Sequence, residues 1–289
     1  MKDTPITSSK GQRPAGPALD EQTFERLRRR ITRSSGIFVP TDGNSRFILE
    51  RRLAPRLRYR GVTSFQEYER LLDEQEMDLM LDAVAVHETY FFREERQLRA
   101  FRGYVLPEFA RLDRPITIWS AGCSTGEEAY TIAMLLAEEG LLAGSRARVL
   151  ASDLSRRVID LGRTGFYGPS SFRTMDDRYK ERYFSESRRG LWRVCDLIRD
   201  SVSFEQFNLM ELNRHPELLP APPGEGFDVI FCRNVLMYFD YESSRETVSS
   251  LHSLLAPGGF LLLGHAESLL PYGTGFSPVQ IDNELVYRK

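Results

Sequence analysis

The hydrophobic pattern of the chain changes after Pro115, and this change constrains the fold more than any other feature of the sequence. From there on, short apolar runs rich in β-branched and aromatic residues alternate with longer amphipathic stretches. The predicted strands are ITIWS (116–120), ARVLAS (147–152), VSFEQF (202–207), FDVIFC (227–232) and GFLLLGH (259–265). The predicted helices are 127–142, 155–163 and 241–255. Such alternation is typical of βαβ units around a buried parallel sheet.

The final segment, FSPVQIDNELVYRK, predicts two more strands around a turn at Asp282-Asn283. This hairpin would add one antiparallel strand to an otherwise parallel sheet. We therefore expect an α/β fold with a Rossmann-like, doubly wound sheet. The stretch Tyr167–Arg199 is too long for a simple loop. Its helix-like piece (Asp176–Phe184) and β-like piece (Leu191–Cys195) predict a small β-subdomain inserted at about residues 168–200.

The N-terminal part of the chain follows a different pattern. Between residues 20 and 99 the apolar residues recur at three- and four-residue intervals, which predicts a helical bundle. Asn44 and Ser64 are the expected N-caps of two of its helices. The polar start, MKDTPITSSKGQRPAGPALD, predicts a disordered tail. The expected organisation is a tail over residues 1–18, a helical domain over 19–95 and an α/β domain over 96–289.

Composition argues against several classes of function. The formal net charge is −2, so the protein as a whole does not suit a polyanion. No apolar run approaches the ~20 residues that span a bilayer. The three cysteines are far apart, and the four histidines lack metal-ligand spacing. We expect a cytoplasmic monomer with no metal, no nucleic-acid partner and no direct membrane insertion.

The segment ITIWSAGCSTGEEAYTIAM (116–134) has the strand, small-residue turn and helix start of a nucleotide pocket. Gly122 lets the backbone approach a ligand closely. A pyrophosphate prefers bare N–H groups, whereas Glu127 and Glu128 place two carboxylates in the first helical turn. The acids favour S-adenosylmethionine, which carries an ammonium and a sulfonium, over NAD, FAD or ATP. The alternative is that Glu127 only caps its helix, since Ser124-x-x-Glu127 has the capping-box pattern.

Three other strand ends face the same predicted crevice. Asp153 ends the second strand, where an acid accepts the ribose hydroxyls of adenosine-type ligands, although it could instead cap the next helix. Asn208 ends the third strand and offers an amide to an adenine edge. Asn234 and Tyr238 follow the fourth strand, and Tyr238 would also suit packing in the core.

Four blocks of sequence resemble the chemotaxis receptor methyltransferase (CheR) family, in the family's order, over roughly residues 20–289. The blocks are HETYFFRE (87–94), WSAGCSTGEEAYTIAM (119–134), FDVIFCRNVLMYFD (227–240) and GGFLLLGHAESL (258–269). The resemblance implies a helical substrate-recognition domain joined to a Rossmann-like methyltransferase domain with a small β-subdomain. It also implies methyl transfer from S-adenosylmethionine to glutamates on the cytoplasmic signalling helices of chemoreceptors. The products would be a glutamyl methyl ester and S-adenosylhomocysteine, and the role would be sensory adaptation in signal transduction.

The resemblance also assigns residues. The implied cofactor-binding residues are His87, Thr89, Arg93, Gly122, Glu127, Asp153, Asn208, Leu209, Asn234 and Val235. Tyr238 and Arg93 are the implied catalytic residues, and His87 stands where many members have asparagine. The family has an arginine near the substrate carboxylate, upstream of the first strand. Further candidates for that arginine are Arg96, Arg99, Arg102, Arg111 and Arg114.

The segment RFILERRLAPRLRYR (46–60) holds six arginines against one glutamate. Arg52, Arg56 and Arg60 share a helical face that would dock on the acidic methylation region of a receptor. The alternative is a solvated helix with snorkelling arginines, and Pro55 could kink or divide this helix.

The predicted insertion would correspond to the β-subdomain that grips a receptor tail peptide in some family members. Those members have a longer, glycine-rich loop, whereas YFSESRRGLWRV contains only Gly190. We therefore expect recognition through the methylation helices alone. Two other functions stay open from sequence: a methyltransferase for another macromolecule or a small molecule, and a non-catalytic receptor-binding protein that retains cofactor binding.

Overall fold

The structure is a computed structural model that describes residues 17–220 and 226–289. The predicted disordered tail, residues 1–18, lies outside the described residues except for its last two positions. The chain forms two compact units. One comprises the residues up to Arg29 together with Val39–Val84, and the other comprises Arg30–Phe38 and Ala85–Lys289.

The first unit is built from helices, as the sequence pattern predicts. These are α1 (Glu21–Ser35), whose last turns belong to the second unit, α2 (Gly43–Arg60), α3 (Phe65–Arg70) and α4 (Glu74–Val84). Leu49, Leu53 and Leu57 form the buried stripe of α2 at the predicted four-residue spacing. Pro55 lies inside α2 without dividing it.

The two predicted N-caps differ in outcome. Ser64 caps α3, and its hydroxyl accepts the N–H of Glu67 at 3.2 Å. The prediction for Asn44 was wrong, because α2 already begins at Gly43. Asp42, which has the extended backbone of an N-cap, takes that role and accepts the N–H of Ser45 at 2.7 Å.

A buried carboxylate joins α2 to α4. Glu76 is 1% exposed and accepts hydrogen bonds from Nε and Nη2 of Arg56 at 2.9 and 2.7 Å and from the Tyr68 hydroxyl at 2.8 Å. Nη1 of Arg60 lies 3.2 Å from the same carboxylate. Burial opposes ionisation of Glu76, but the hydrogen bonds and the arginine charges outweigh it and lower its pKa. Two of the three predicted docking arginines therefore hold the helical unit together.

The described residues of the second unit form ten strands in two sheets. The strands are β1 (Ile116–Ala121), β2 (Ala147–Asp153), β3 (Phe166–Tyr167), β4 (Phe184–Glu186), β5 (Trp192–Val194), β6 (Val202–Gln206), β7 (Phe227–Cys232), β8 (Leu255–Leu263), β9 (Ser277–Ile281) and β10 (Glu284–Arg288). The large sheet has the order β6-β2-β1-β7-β8-β10-β9. Its first five strands pair in parallel, and β10 is antiparallel to both β8 and β9. This confirms the predicted Rossmann-like sheet with one antiparallel strand.

Helices cover both faces of the large sheet. They are α5 (Glu95–Ala100), which continues through a π-helical turn (Phe101–Val105) into α6 (Leu106–Ala110), and α7 (Glu127–Glu138), α8 (Arg156–Thr164) and α11 (Tyr241–Leu254). The side chains of neighbouring β1 residues lie in different apolar clusters on the two faces of the sheet. Ile118 lies in one cluster and Trp119 in the other. The strands are therefore buried on both faces, which explains their continuous apolar runs.

The predicted insertion is a three-stranded antiparallel sheet of order β3-β5-β4. It carries the short helices α9 (Asp177–Tyr183) and α10 (Asp196–Arg199). Phe91, from the YFFRE block, contacts Tyr167 and Phe184 edge-to-face, with ring centroids 4.8 and 5.0 Å apart. The insertion thus anchors the segment that carries several predicted site residues.

Within residues 17–220 and 226–289, no helix is both long and apolar enough to cross a membrane. The same residues contain no cluster of three or more histidine, cysteine or acidic side chains that could hold a metal ion.

We expect Glu76→Gln to lower the free energy of unfolding by about 3–5 kcal/mol at pH 7, because it leaves the partly buried charge of Arg56 unpaired. The matched control is Glu74→Gln, an exposed glutamate in the same helix, which should change stability by less than about 0.5 kcal/mol. Urea unfolding followed by circular dichroism measures both.

The pH dependence of the free energy of unfolding gives a second check on the interaction between Glu76 and Arg56. The pKa of Glu76 is lowered in the folded chain, so its contribution is present above the ordinary value of 4.5 and is lost as the pH falls below it. The stability difference between wild type and Glu76→Gln should shrink accordingly in acid. Equal unfolding midpoints for the two glutamine variants at pH 7 would contradict the assigned role.

Candidate active site

The carboxyl ends of β2, β1, β7 and β8 meet at one edge of the sheet, and the turn after β1 passes directly over the turn after β7. The N–H groups of Gly122 and Cys123 both donate to the carbonyl of Ser152, at 2.8 and 2.9 Å. Gly122 has φ +80°, and a Cβ there would lie 2.4 Å from Cγ2 of Val235. Only glycine fits this crossing, and the predicted cofactor residues Gly122 and Val235 are brought together.

Asp153 fixes the turn after β1 from the neighbouring strand. Its Oδ2 accepts the N–H of Ser124 at 2.9 Å, and its Oδ1 accepts the N–H of Ser155 at 3.0 Å. The alternative role of Asp153 as a helix N-cap was wrong, because Ser155 is the N-cap of α8 and its hydroxyl accepts the N–H of Val158. Each carboxylate oxygen can accept more than one hydrogen bond, so these contacts are compatible with ribose hydroxyls as further donors.

The capping-box alternative for Glu127 was also wrong. Helix α7 begins at Glu127 itself, and Gly126 occupies the N-cap position with φ +92° and no side-chain cap. Ser124 lies outside the helix in a left-handed conformation, φ +50°. Its hydroxyl donates to the carbonyl of His87 at 3.2 Å, which places His87 beside the turn.

The carboxylate of Glu127 is buried among hydroxyl groups. It is 2% exposed and accepts hydrogen bonds from Thr125 at 2.6 Å and from Ser171 of the insertion at 2.8 Å. Burial raises the pKa of Glu127, and the two hydroxyl groups only partly offset it. A cationic group at this position would stabilise the ionised form, which is the behaviour expected of a site for an ammonium or sulfonium.

A charged network behind the strand ends was missed from sequence. The side chain of Arg233 is 2% exposed and lies between Glu94 (Nη2 to Oε2, 3.1 Å) and Glu128 (Nη1 to Oε2, 3.4 Å). Burial raises the pKa of Glu128, whereas the charge of Arg233 and several hydrogen bonds overcome burial and lower that of Glu94. The available signal was that a charged residue directly follows the apolar strand β7, where burial would demand partners.

Glu94 connects the YFFRE block to the ends of β7 and β8. Its Oε1 lies 3.2 Å from Nδ2 of Asn234 and 2.9 Å from Nδ1 of His265. A carboxylate can only accept hydrogen bonds here, so the amide nitrogen of Asn234 faces Glu94. The Oδ1 atom of Asn234 therefore faces away from Glu94 and can accept a hydrogen bond from a ligand donor such as an ammonium.

Arg93 lies in the same network through its backbone. Its carbonyl accepts Nη2 of Arg233 at 2.6 Å, while its guanidinium donates to the carbonyl of Glu88 at 3.0 Å. Thr89 is half-buried in the same segment.

Two of the other candidate arginines are held elsewhere. Arg102 pairs with Glu139 at 2.6 Å on the helical layer. Arg114 pairs with Asp228 at 2.7 Å, at the amino end of β7 and therefore at the opposite edge of the sheet. The remaining candidate arginines are exposed. Arg96 and Arg99 lie on α5, and Arg111 follows α6.

Asn208 and Leu209 follow β6, beside the end of β2. The Asn208 amide is engaged at both ends, because Nδ2 donates to the carbonyl of Ser34 at 2.6 Å and Oδ1 accepts the N–H of Met210 at 3.1 Å. Leu209 is 7% exposed. This geometry gives Asn208 a part in shaping the loop.

Tyr238 lies at the rim of the crevice rather than in the core. Its side chain is 36% exposed, so the core-packing alternative was wrong. Its backbone is held by hydrogen bonds to the carbonyl of Val235 at 3.0 Å and from the N–H of Phe38 at 2.7 Å. Its hydroxyl makes no hydrogen bond to the part of the chain that the structure describes.

Both units of the chain match known families. The model "CheR methyltransferase, all-alpha domain" matches residues 22–85, and "CheR methyltransferase, SAM binding domain" matches residues 87–284. Chemotaxis protein methyltransferase 2 of Vibrio cholerae is 35% identical over 259 residues, which cover 87% of each chain. The chemotaxis protein methyltransferase of Salmonella typhimurium is 33% identical over 259 residues, 87% of this chain and 85% of the relative. The chain therefore belongs to the CheR methyltransferase family, whose larger domain binds S-adenosylmethionine.

Proposed function

We propose that this protein is a protein-glutamate O-methyltransferase. It would act in the cytoplasm on chemoreceptor signalling helices, forming glutamyl methyl esters and S-adenosylhomocysteine. Membership of the family supports the coarser statement, an S-adenosylmethionine-dependent methyltransferase of chemotaxis. The observation that carries the finer proposal is Tyr238, whose exposed hydroxyl follows Asn234 on the same turn and has no hydrogen bond among the described residues.

The crevice offers groups that match S-adenosylmethionine. Asp153 suits the ribose hydroxyls, and the carboxylate of Glu127 and Oδ1 of Asn234 suit the cationic methionyl end. Gly122 lets the ligand approach the backbone. Bound there, the cofactor would supply an electrophilic methyl group on a sulfonium.

The substrate needs no general base. A glutamate side chain has a pKa of about 4.3 and is already ionised at neutral pH. Its oxygen forms a bond to the methyl carbon as the carbon–sulfur bond breaks, and the bonding electron pair remains on sulfur. An anion and a cation thereby become a neutral ester and a neutral thioether, and this charge loss proceeds more readily where water is excluded.

The task of the protein is therefore alignment. Holding oxygen, carbon and sulfur in line contributes about 7–11 kcal/mol to lowering the barrier. We assign this orientation of the carboxylate to Tyr238 and Arg93. A tight ion pair would quench the nucleophile, so their role is to orient it and not to activate it.

The decisive experiment incubates the protein with methyl-tritiated S-adenosylmethionine and membranes that contain candidate receptors. We expect label in the receptor that alkali releases as methanol, since esters are base-labile. Label in RNA, or alkali-stable label in protein, would support another macromolecular substrate instead. Cofactor binding with no transfer to any receptor would support the non-catalytic alternative.

We expect Tyr238→Phe to lower kcat up to about a hundredfold, since a misaligned nucleophile loses rate on that scale, while cofactor affinity stays nearly unchanged. Tyr241→Phe is the matched control, because Tyr241 is also exposed and its hydroxyl bonds only to the carbonyl of Pro271 among the described residues. Methyl transfer kinetics and calorimetry measure the two quantities. Equal kcat for the two variants would remove Tyr238 from the site.

For receptor docking, we propose a different part of α2 from the face that carries Arg52, Arg56 and Arg60. Arg56 and Arg60 pair with Glu76, and Arg52 donates to the carbonyl of Val84. The outward positions of α2 instead include Phe47, Ile48, Arg51, Arg58 and Tyr59. We therefore place the proposed docking on Arg51 and Arg58, whose charges complement an acidic methylation region.

Reversing the charge of both arginines, Arg51→Glu with Arg58→Glu, should lower kcat/KM for receptor membranes about tenfold at low salt. The loss should shrink at high salt, which screens exposed charges. Arg146→Glu with Arg148→Glu is the matched control, with the same charge change at exposed positions around the start of β2. An equal loss in both double variants would show an effect of net charge alone.

We also propose that docking needs no receptor tail peptide. The turn between β4 and β5 is closed by a hydrogen bond from Ser187 N–H to the carbonyl of Leu191 at 2.8 Å. Both strands are three residues long, so a peptide gains little edge to pair with. Micromolar binding of a tail peptide in calorimetry would contradict this proposal.

A further inference from the structure

One carboxylate accepts four backbone N–H groups beside the candidate transfer site. Oε1 of Glu267 accepts from Val235 at 2.9 Å and from Met237 at 3.1 Å. Its Oε2 accepts from Asn234 at 2.7 Å and from Gly264 at 2.8 Å. We propose that Glu267 is a positioning residue for methyl transfer, which fixes the turn 234–238 so that Asn234 and Tyr238 face the cofactor and substrate. The catalytic meaning of this role rests on the proposed function.

The turn 234–238 needs such a partner because its backbone leaves the sheet. Strand β7 ends at Cys232, and Asn234 has φ +59°, a left-handed conformation that costs a non-glycine residue about 1–2 kcal/mol. The N–H groups of Val235 and Met237 lie at the N-cap and within the short 3₁₀ turn Leu236–Tyr238, where the first N–H groups lack helical partners. A carboxylate forms charge-assisted hydrogen bonds with such groups, so Glu267 compensates the strained turn.

The surroundings of the turn leave little room for another arrangement. A Cβ on Gly264 would lie 2.5 Å from Nδ2 of Asn234 and 2.9 Å from Oε2 of Glu267. On the other side, Val235 already touches the backbone at Gly122. Sterics thus define where the turn fits, and the attraction of Glu267 holds it there.

The chemistry distinguishes glutamate from its isosteric amide. Glutamine has one acceptor oxygen, so Glu267→Gln retains two of the four hydrogen bonds and points an NH₂ group at the other two N–H groups. Glu267→Asp retains the charge on a shorter side chain. We therefore expect the aspartate variant to be intermediate between wild type and the glutamine variant.

Amide hydrogen exchange tests the contact without any reference to catalysis. In the full chain, Glu267→Gln should speed exchange at residues 234, 235, 237 and 264 by about tenfold or more, since local opening becomes easier. Exchange in β1 and β2 should stay as in wild type, which shows that the variant is folded. Glu67→Gln is the matched control, because Glu67 also accepts a backbone N–H, that of Thr63, in the helical unit.

Function is measured in the same variants. We expect Glu267→Gln to weaken S-adenosylhomocysteine binding and to lower kcat by at least about tenfold with a smaller change in the KM for receptor. Glu67→Gln should leave S-adenosylhomocysteine binding and kcat as in wild type. The proposal is overturned if exchange at the four amides is unchanged in Glu267→Gln, or if exchange accelerates while binding and kcat stay at the wild-type level.

These outcomes separate the inference from the proposed function. If the wild-type protein transfers no methyl group to any receptor, the glutamate substrate is wrong, yet exchange and S-adenosylhomocysteine binding still decide whether Glu267 positions the turn. If wild type is active and Glu267→Gln is indistinguishable from it in every measurement, only the inference fails.

Discussion

The arrangement of the site depends on carboxylates that accept backbone N–H groups where strands end. Asp153, at the end of β2, binds the N–H of Ser124 and so fixes the turn after β1. Glu267, beyond β8, does the same for the turn after β7. Asp153 is the last residue of the neighbouring strand, and Glu267 follows the neighbouring strand by four residues, so sheet pairing helps to set the position of each turn. The order of the strands in the parallel sheet thus determines which turns lie together and form the crevice.

We propose that the electrostatics of this crevice favour a cationic ligand. Glu127 is buried among hydroxyl groups with a raised pKa, and the positive charge of Arg233 is already shared between Glu94 and Glu128. A triphosphate would bring further negative charge to this edge of the sheet. A sulfonium and an ammonium bring the charge that the crevice lacks. Carboxylates thus serve both as structural acceptors and as the source of selectivity.

Sequence reasoning recovered the sheet because apolar runs and their lengths depend on local burial. The strands, their connecting helices and the turn at Asp282-Asn283 follow from periodicity and turn chemistry, and both turn residues have positive φ. The glycine in the turn after β1 identified Gly122, and the resemblance to the CheR family identified Val235 and His87. The structure brings Gly122 together with Val235 and places His87 beside Ser124.

Several of the errors share one physical cause, which is that partners distant in sequence decide a side chain's role. Arg56 and Arg60 flank the buried leucine stripe of α2, and their partner Glu76 lies on another helix. The Ser124-x-x-Glu127 pattern suggested a cap, but the left-handed backbone at Ser124 excludes it. The contacts of Glu94 and Glu267 were missed because most of their partners are distant in sequence. Glu94 contacts residues 139 to 171 positions away, and Glu267 contacts the turn after β7, which is 30 to 33 positions away.

The central claim is that carboxylates at this sheet edge hold a cationic adenosyl methyl donor. Displacement of labelled S-adenosylmethionine from wild type, Asp153→Ala and Glu127→Gln tests it most directly. We expect one site per chain, competition by S-adenosylhomocysteine but not by ATP or NAD, and weaker binding in both variants. Displacement by ATP, or unchanged affinity in both variants, would contradict it.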